Sequence, residues 1–215
     1  VNAVGFEAIR SGRTARQRVL AGAGLLLLFV VPLAWGQGEL NRLTAAEGAA
    51  GAPTRPVLMI QPNTGNDKWD ASERGSVIGG LQVATLRASR VAPPDALVIW
   101  PETATPTLLM YDRQYYEQIM SLVSNIDRPL LTGFPDRNVY KGGPLEYYNA
   151  AGLFTPGQGV VEEYRKVRLV PFAEYMPVPG LNKVNFGQGN FTPGDTLRVF
   201  ERAGPPFGVL ICIAA

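Results

Sequence analysis

The sequence has 215 residues, a formal charge of +2, no histidine and a single cysteine, Cys212. That length suits one good domain with an appendage, and so small a charge argues against a nucleic-acid partner. The missing histidine excludes Ser-His-Asp and Cys-His catalysis and histidine-based zinc sites, and one cysteine excludes an internal disulfide.

Residues 1–18 are polar and basic, with Arg10, Arg13, Arg16 and Arg18 against one acid, Glu7. Val19 to Trp35 then carries no charge, with Leu25 to Val31 at its centre. As a helix this stretch is roughly 25 Å long, at the short limit for spanning a bilayer core. Its flanking arginines predict a cytoplasmic start, with everything after Trp35 placed outside the cytoplasm. A cleaved signal peptide has the same charge order, but Leu33-Ala34-Trp35 is a poor small-residue cleavage site. A buried soluble helix is the other alternative, although no polar stripe is present. Residues 36–56, rich in Gly, Ala and Pro, read as a linker.

From residue 57 to 215 the texture is α/β. Strands are predicted at Val57–Ile60, Leu97–Trp100, Pro129–Thr132, Leu197–Phe200 and Phe207–Cys212. A hairpin is predicted from Asn149–Phe154 and Val160–Lys166 around Pro156-Gly157. Helices are predicted over 69–90, with Val77, Leu81, Ala84 and Ala88 on one face, and over 112–126. Gly79-Gly80 weakens the first by about 1 kcal/mol per glycine.

Three stretches carry candidate chemistry. Glu102 follows a buried strand directly and Pro101 stiffens its approach, which suits a general base; it also reads as an ordinary loop acid. In Tyr164 to Tyr175, cations alternate with apolar residues, so Lys166 and Arg168 share one face of an extended strand. A lysine facing a closed site stabilises a developing oxyanion, and Glu174 beyond the Pro171-Phe172 turn can orient it. The bland alternative is a solvated basic edge. Cys212 ends the last predicted strand, as a core cysteine or as a nucleophile. Without histidine its thiolate needs a neighbouring base and cation, and Glu102 and Lys166 are the natural pair.

Trp100-Pro101-Glu102, Lys166 with Leu169 to Glu174, and Leu210-Ile211-Cys212 together resemble the Glu-Lys-Cys signature of the nitrilase superfamily. The string from Tyr164 to Pro177, the upstream oily segment and Gln61-Pro62-Asn63 ahead of Lys68-Trp69 narrow the resemblance to its apolipoprotein N-acyltransferase branch. The resemblance covers residues 19–212. It implies an αββα sandwich, incomplete at its C-terminal end, preceded by one transmembrane helix and held outside the bacterial inner membrane. It implies that Cys212 takes an acyl chain from a phospholipid as a thioester and passes it to the amine of a diacylglyceryl-cysteine apolipoprotein. Glu102 is then the base, Lys166 the oxyanion partner and Glu174 a supporting acid. Trp69 and Asn149 fall where the family keeps residues at the site's edge. No cofactor or metal is implied.

The family continues after its cysteine with Tyr-Glu, where this chain has Ile213-Ala214-Ala215. With Val1 at its start, the sequence is expected to be a piece of a longer protein, inactive alone and with an unpaired sheet edge. Two rival expectations stand beside the acyltransferase. One is a membrane-anchored amidase that uses the same triad and lets water resolve the thioester. The other is an anchored binding domain in which Cys212 is merely core.

Overall fold

A computed structural model describes residues 14–47, 51, 53–65, 69–70, 72–139, 145–177 and 190–211. The chain divides into two compact units, Val1–Pro53 and Thr54–Ala215.

Among its described residues the first unit holds one helix, α1, Ala15–Glu47, with Pro32 inside it. It is long and apolar enough to cross a membrane, a test that a signal sequence near the N-terminus also passes. Its 33 residues make a rod of about 50 Å. The helix therefore runs through Gly36 to Glu47, the first half of the segment expected as linker. Ala, Leu, Glu, Gln and Arg dominate 37–47, and these are strong helix formers that outweigh two glycines.

The second unit holds strands β1 (Val57–Met59), β2 (Leu97–Ile99), β3 (Leu130–Val139), β4 (Leu145–Thr155), β5 (Gly159–Arg165), β6 (Val199–Phe200) and β7 (Phe207–Gly208). Helices α2 (Arg74–Ser89) and α3 (Arg113–Ile126) are the crossovers. The main sheet has the order β1-β2-β3-β4-β5. Its first three strands are parallel and its last three an antiparallel meander. That mixture follows from the connections. Helical crossovers join parallel strands, and short turns join antiparallel ones.

The pleat sorts side chains onto two faces. Val98, Leu130, Phe134, Ala150 and Phe154 pack with Ile78, Leu81, Ile119, Leu122 and Val123 of the helices. Leu97, Leu131, Ala151, Leu153 and Tyr164 pack under Phe200, Ala203 and Ile211. The α/β class read from the sequence is thus the class of this unit, with helices on one face and the 199–211 segment on the other.

Helix α3 is amphipathic, burying Ile119, Leu122, Val123 and Ile126. Asp112 caps it by accepting the Tyr115 N–H, and Asp127 ends it at φ 49°. Helix α2 buries Ile78, Leu81, Thr85 and Ser89, one residue round from the expected Val77-Leu81-Ala84-Ala88 face. Thr85 explains the rotation. Its hydroxyl donates to the Leu81 carbonyl (2.7 Å) and accepts from the Trp100 indole N–H (2.9 Å), so a polar side chain sits satisfied in the core.

The C-terminal strands differ from expectation. Leu197–Phe200 shortens to β6, which pairs antiparallel with β7 as a separate two-stranded sheet. Among the described residues of the run Phe207–Cys212, only Phe207 and Gly208 are paired. Beyond β7, Ile211 is buried but Leu210 is 80% exposed, which a fully buried strand does not allow. Cys212 lies outside the described residues.

Gly133 of β3 sits where the sheet meets the loop after β2. A Cβ there would lie 2.7 Å from the Thr103 N and 2.9 Å from the Glu102 Cα. Backbone cannot yield as a side-chain tip does. Gly133→Ala is expected to cost about 1–3 kcal/mol, measured by denaturant unfolding, and to displace Glu102.

Candidate active site

Glu102 stands one residue past the pinned end of β2. Trp100 N–H donates to the Leu131 carbonyl (2.9 Å) and Gly133 N–H to the Pro101 carbonyl (3.3 Å). Thr103, immediately after, has φ 46°. A β-branched residue in the left-handed region is strained, by about 1–3 kcal/mol, and persists only where its surroundings over-determine it.

Asn149, on β4, is 2% exposed. Its amide nitrogen donates to Glu102 Oε1 at 2.6 Å and to Glu174 Oε1 at 3.0 Å. One amide group therefore ties two carboxylates together and fixes both. Expected at the edge of a site, Asn149 stands instead between its acids.

Lys166 follows the last residue of β5, Arg165. The Asp136 carboxylate holds the Arg165 guanidinium at 2.6 and 3.1 Å, and the guanidinium lies over the Tyr148 ring at 4.2 Å. Burial lowers the Arg165 pKa, but the Asp136 and Glu163 carboxylates outweigh it and raise it overall. With Arg165 fixed, the next side chain turns inward. Lys166 N–H donates to the Asn149 carbonyl at 2.8 Å, and its own carbonyl accepts from Gly194 N–H at 2.8 Å. Gly194 has to be glycine at this crossing, because a Cβ would run into the Arg165 carbonyl oxygen. The Lys166 side chain is only 1% exposed, and its Nζ reaches Glu174 Oε2 at 2.8 Å and Oε1 at 3.0 Å. Arg168, expected on the same strand face, lies past the strand's end and is exposed.

Glu174 is set by a tight turn. Glu174 N–H donates to the Val170 carbonyl (2.9 Å), Phe172 N–H to the Tyr175 carbonyl (2.8 Å), and Phe172 takes φ 65°. The carboxylate accepts the Val170 N–H at 2.8 Å as well. Burial alone would raise its pKa. The hydrogen bonds from Lys166, Val170 and Asn149, with the Lys166 charge, outweigh burial and hold it below the ordinary 4.5. Its folded pKa is therefore depressed relative to the unfolded chain. The stability this carboxylate contributes is present above about pH 4.5 and is lost as pH falls through the folded value. Acid unfolding of the Glu174→Gln variant should be correspondingly shallower below pH 4.5.

Four of the six residues singled out in the sequence, Glu102, Asn149, Lys166 and Glu174, thus form one hydrogen-bonded chain. Trp69 lines an adjacent cleft of about 820 Å³ with Leu108, Pro135, Arg137, Tyr147 and Phe191. Pro135 pairs with Asn149 and Arg137 with Tyr147 across β3 and β4, so the same strand pair runs from cleft to acids. Cys212 lies outside the described residues. The Glu102 carboxylate and the enclosed Lys166 side chain are thus linked through Asn149 and Glu174, and a positioned carboxylate and an enclosed ammonium are the kinds of group that serve proton transfer and oxyanion stabilisation. Sequence reading missed Gly133, Gly194 and Asp136, whose parts emerge only from neighbours distant in the chain.

The carbon-nitrogen hydrolase family model matches residues 60–214. Apolipoprotein N-acyltransferase from Geobacter metallireducens is 33% identical over 193 residues, which are 87% of this chain and 36% of that protein. The namesake from Chlorobaculum tepidum is 32% identical, covering 78% of this chain and 34% of its own length. That from Azotobacter vinelandii is 37% identical, covering 72% and 28%. The chain therefore spans about a third of the length of the curated relatives it matches. Among solved structures, an amidase from Nesterenkonia sp. superposes with a TM-score of 0.45 at 16% identity, over 74% of this chain and 53% of its own.

Proposed function

Because the chain belongs to the carbon-nitrogen hydrolase family, we propose that it carries the catalytic domain of an N-acyltransferase of lipoprotein maturation. The acyl donor is a phospholipid and the acceptor a diacylglyceryl-cysteine apolipoprotein. Helix α1 is read as a span of the bacterial inner membrane, with the catalytic domain on the outer side. The observation that supports this most is the enclosed Lys166 ammonium, tied to Glu102 through Glu174 and the Asn149 amide.

In this reading Glu102 takes the thiol proton of Cys212, and the sulfur attacks an acyl ester carbonyl of the phospholipid. Lys166 stabilises the oxyanion. Glu174 balances the lysine's charge and holds it in place, and the Asn149 amide aims Glu102. As the tetrahedral intermediate collapses, the C–O bond breaks and Glu102 returns the proton to the departing lysophospholipid. The acceptor's amine then attacks the thioester and gives its proton to Glu102. The C–S bond breaks and Glu102 passes that proton to the departing sulfur, leaving an amide, a free Cys212 thiol and an ionised Glu102. No histidine is needed at any step.

Membranes from cells expressing the native open reading frame, given phospholipid labelled in its acyl chain, test the reading. Label is expected as an amide on a diacylglyceryl-cysteine peptide. Label released only as free fatty acid would favour an anchored hydrolase instead. A Cys212→Ser protein that transfers label as well as the wild type would leave the cysteine as core.

A further inference from the structure

The cleft beside the carboxylate cluster carries a feature that the chemistry above does not use. The Nε atoms of Arg74 and Arg137 are both enclosed and, among the described residues, neither has a hydrogen-bond partner. Both arginines line this one cleft. Buried donors are normally paired, and two guanidinium groups left open at one place call for an acceptor that comes from outside.

The surroundings point to an anion. The Arg137 guanidinium carbon lies over the Tyr111 ring, 4.3 Å from its centroid, and the Tyr111 hydroxyl donates to the Arg137 carbonyl at 2.9 Å, so this ring supports the arginine at both its head and its backbone. Asp112, which also lines the cleft, is committed elsewhere: one oxygen caps α3 and the other accepts the Thr107 hydroxyl at 3.1 Å. Arg113 at the rim is exposed and pairs with Glu117. Among the described residues neither Arg74 nor Arg137 forms an ion pair with a carboxylate. Planar guanidinium forks match phosphate oxygens in pairs. Apolar walls, including Trp69, Leu108 and Phe191, give a phosphate little but offer a lipid's glycerol and first methylenes a place to lie.

We infer that this cleft binds the phosphodiester of a glycerophospholipid through Arg74 and Arg137. The inference rests on the acyltransferase reading only for the use made of the lipid. The ester carbonyls of such a lipid lie a few bonds from its phosphate. The Pro135–Asn149 pairing puts the cleft beside the Asn149–Glu102 contact, so a phosphate held here brings an ester toward Glu102 and Lys166.

The test uses the native protein in detergent, titrated calorimetrically with a short-chain phosphatidylglycerol, the matching diacylglycerol and inorganic phosphate. Arg74→Gln and Arg137→Gln are each expected to weaken phospholipid binding about tenfold or more. The diacylglycerol should bind both variants as it binds the wild type. The unliganded melting temperature of Arg74→Gln should be unchanged or higher, because a guanidinium kept for a ligand stabilises nothing without it. That readout separates lost binding from lost folding. Unchanged phospholipid affinity in both variants overturns the inference. So does inorganic phosphate binding as tightly as the lipid and depending on the same arginines, which would mark a free-anion site. Cys212→Ser should bind phospholipid normally. A protein that binds lipid through both arginines yet never transfers an acyl chain would sink the acyltransferase reading and leave this site standing.

Discussion

Lys166→Met should abolish acyl transfer and destabilise the domain by about 3–5 kcal/mol, the usual cost of removing one partner of a buried pair. The size of the effect follows from enclosure. The Lys166 side chain is 1% exposed and that of Glu174 13%, so the orphaned carboxylate has little water to turn to. For a domain of this length the loss corresponds to a fall of about 6–20 °C in melting temperature. The double variant Lys166→Met, Glu174→Gln should recover much of that stability, because no charge is left unpaired, yet remain inactive. Calorimetric melts of the two single variants and the double variant give the coupling directly. If the single variant melted like wild type, the ion pair would be ornamental. If the double variant recovered activity along with stability, Lys166 would have only a structural part.

Glu102→Gln should have the opposite profile. Glutamine keeps the shape of the side chain and can still present a carbonyl oxygen to the Asn149 amide, a contact now made at 2.6 Å. The melting temperature should stay within about 2 °C, while acyl transfer falls by about 10²–10⁴, the range for loss of a general base. Single-turnover kinetics with labelled phospholipid, beside a thermal melt, separate the two. A stable Glu102→Gln protein at full rate would remove Glu102 from the chemistry. Asn149 acts through it. If Asn149→Leu lowered the rate while leaving phospholipid affinity unchanged, that would identify it as a positioning residue for the carboxylate.

Much of this was legible in the sequence because it is local. The apolar quartet Leu97–Trp100 running into Pro101-Glu102 announces a strand end with an acid on it. The 3.6-residue rhythm of 113–126 announces a helix that buries one face. The spacing of Lys166 and Glu174 around a Pro-Phe turn suggests that they meet, and they do so at 2.8 Å. What stayed hidden depends on partners distant in the chain. Nothing local says that Asn149 will serve two carboxylates 47 and 25 residues away. Nothing local says that Gly133 is small because Thr103 presses against it. The face of α2 was read one residue off because Thr85 counts as polar until Trp100 supplies its partner. Leu210 reads as core by composition, but it lies past the end of the short two-stranded pair and is exposed. The Gly, Ala and Pro content of 36–56 suggested a linker, yet strong helix formers carry α1 through to Glu47.

The proposed chemistry brings proton transfer and charge stabilisation to one sulfur. Intact-mass and peptide mass spectrometry of the native protein after brief exposure to phospholipid addresses that most directly. The expected result is a single acyl group on Cys212, released by hydroxylamine, and absent from the Glu102→Gln and Lys166→Met proteins. An acyl group found on another residue, or a Cys212 adduct that forms equally fast in both variants, would contradict it.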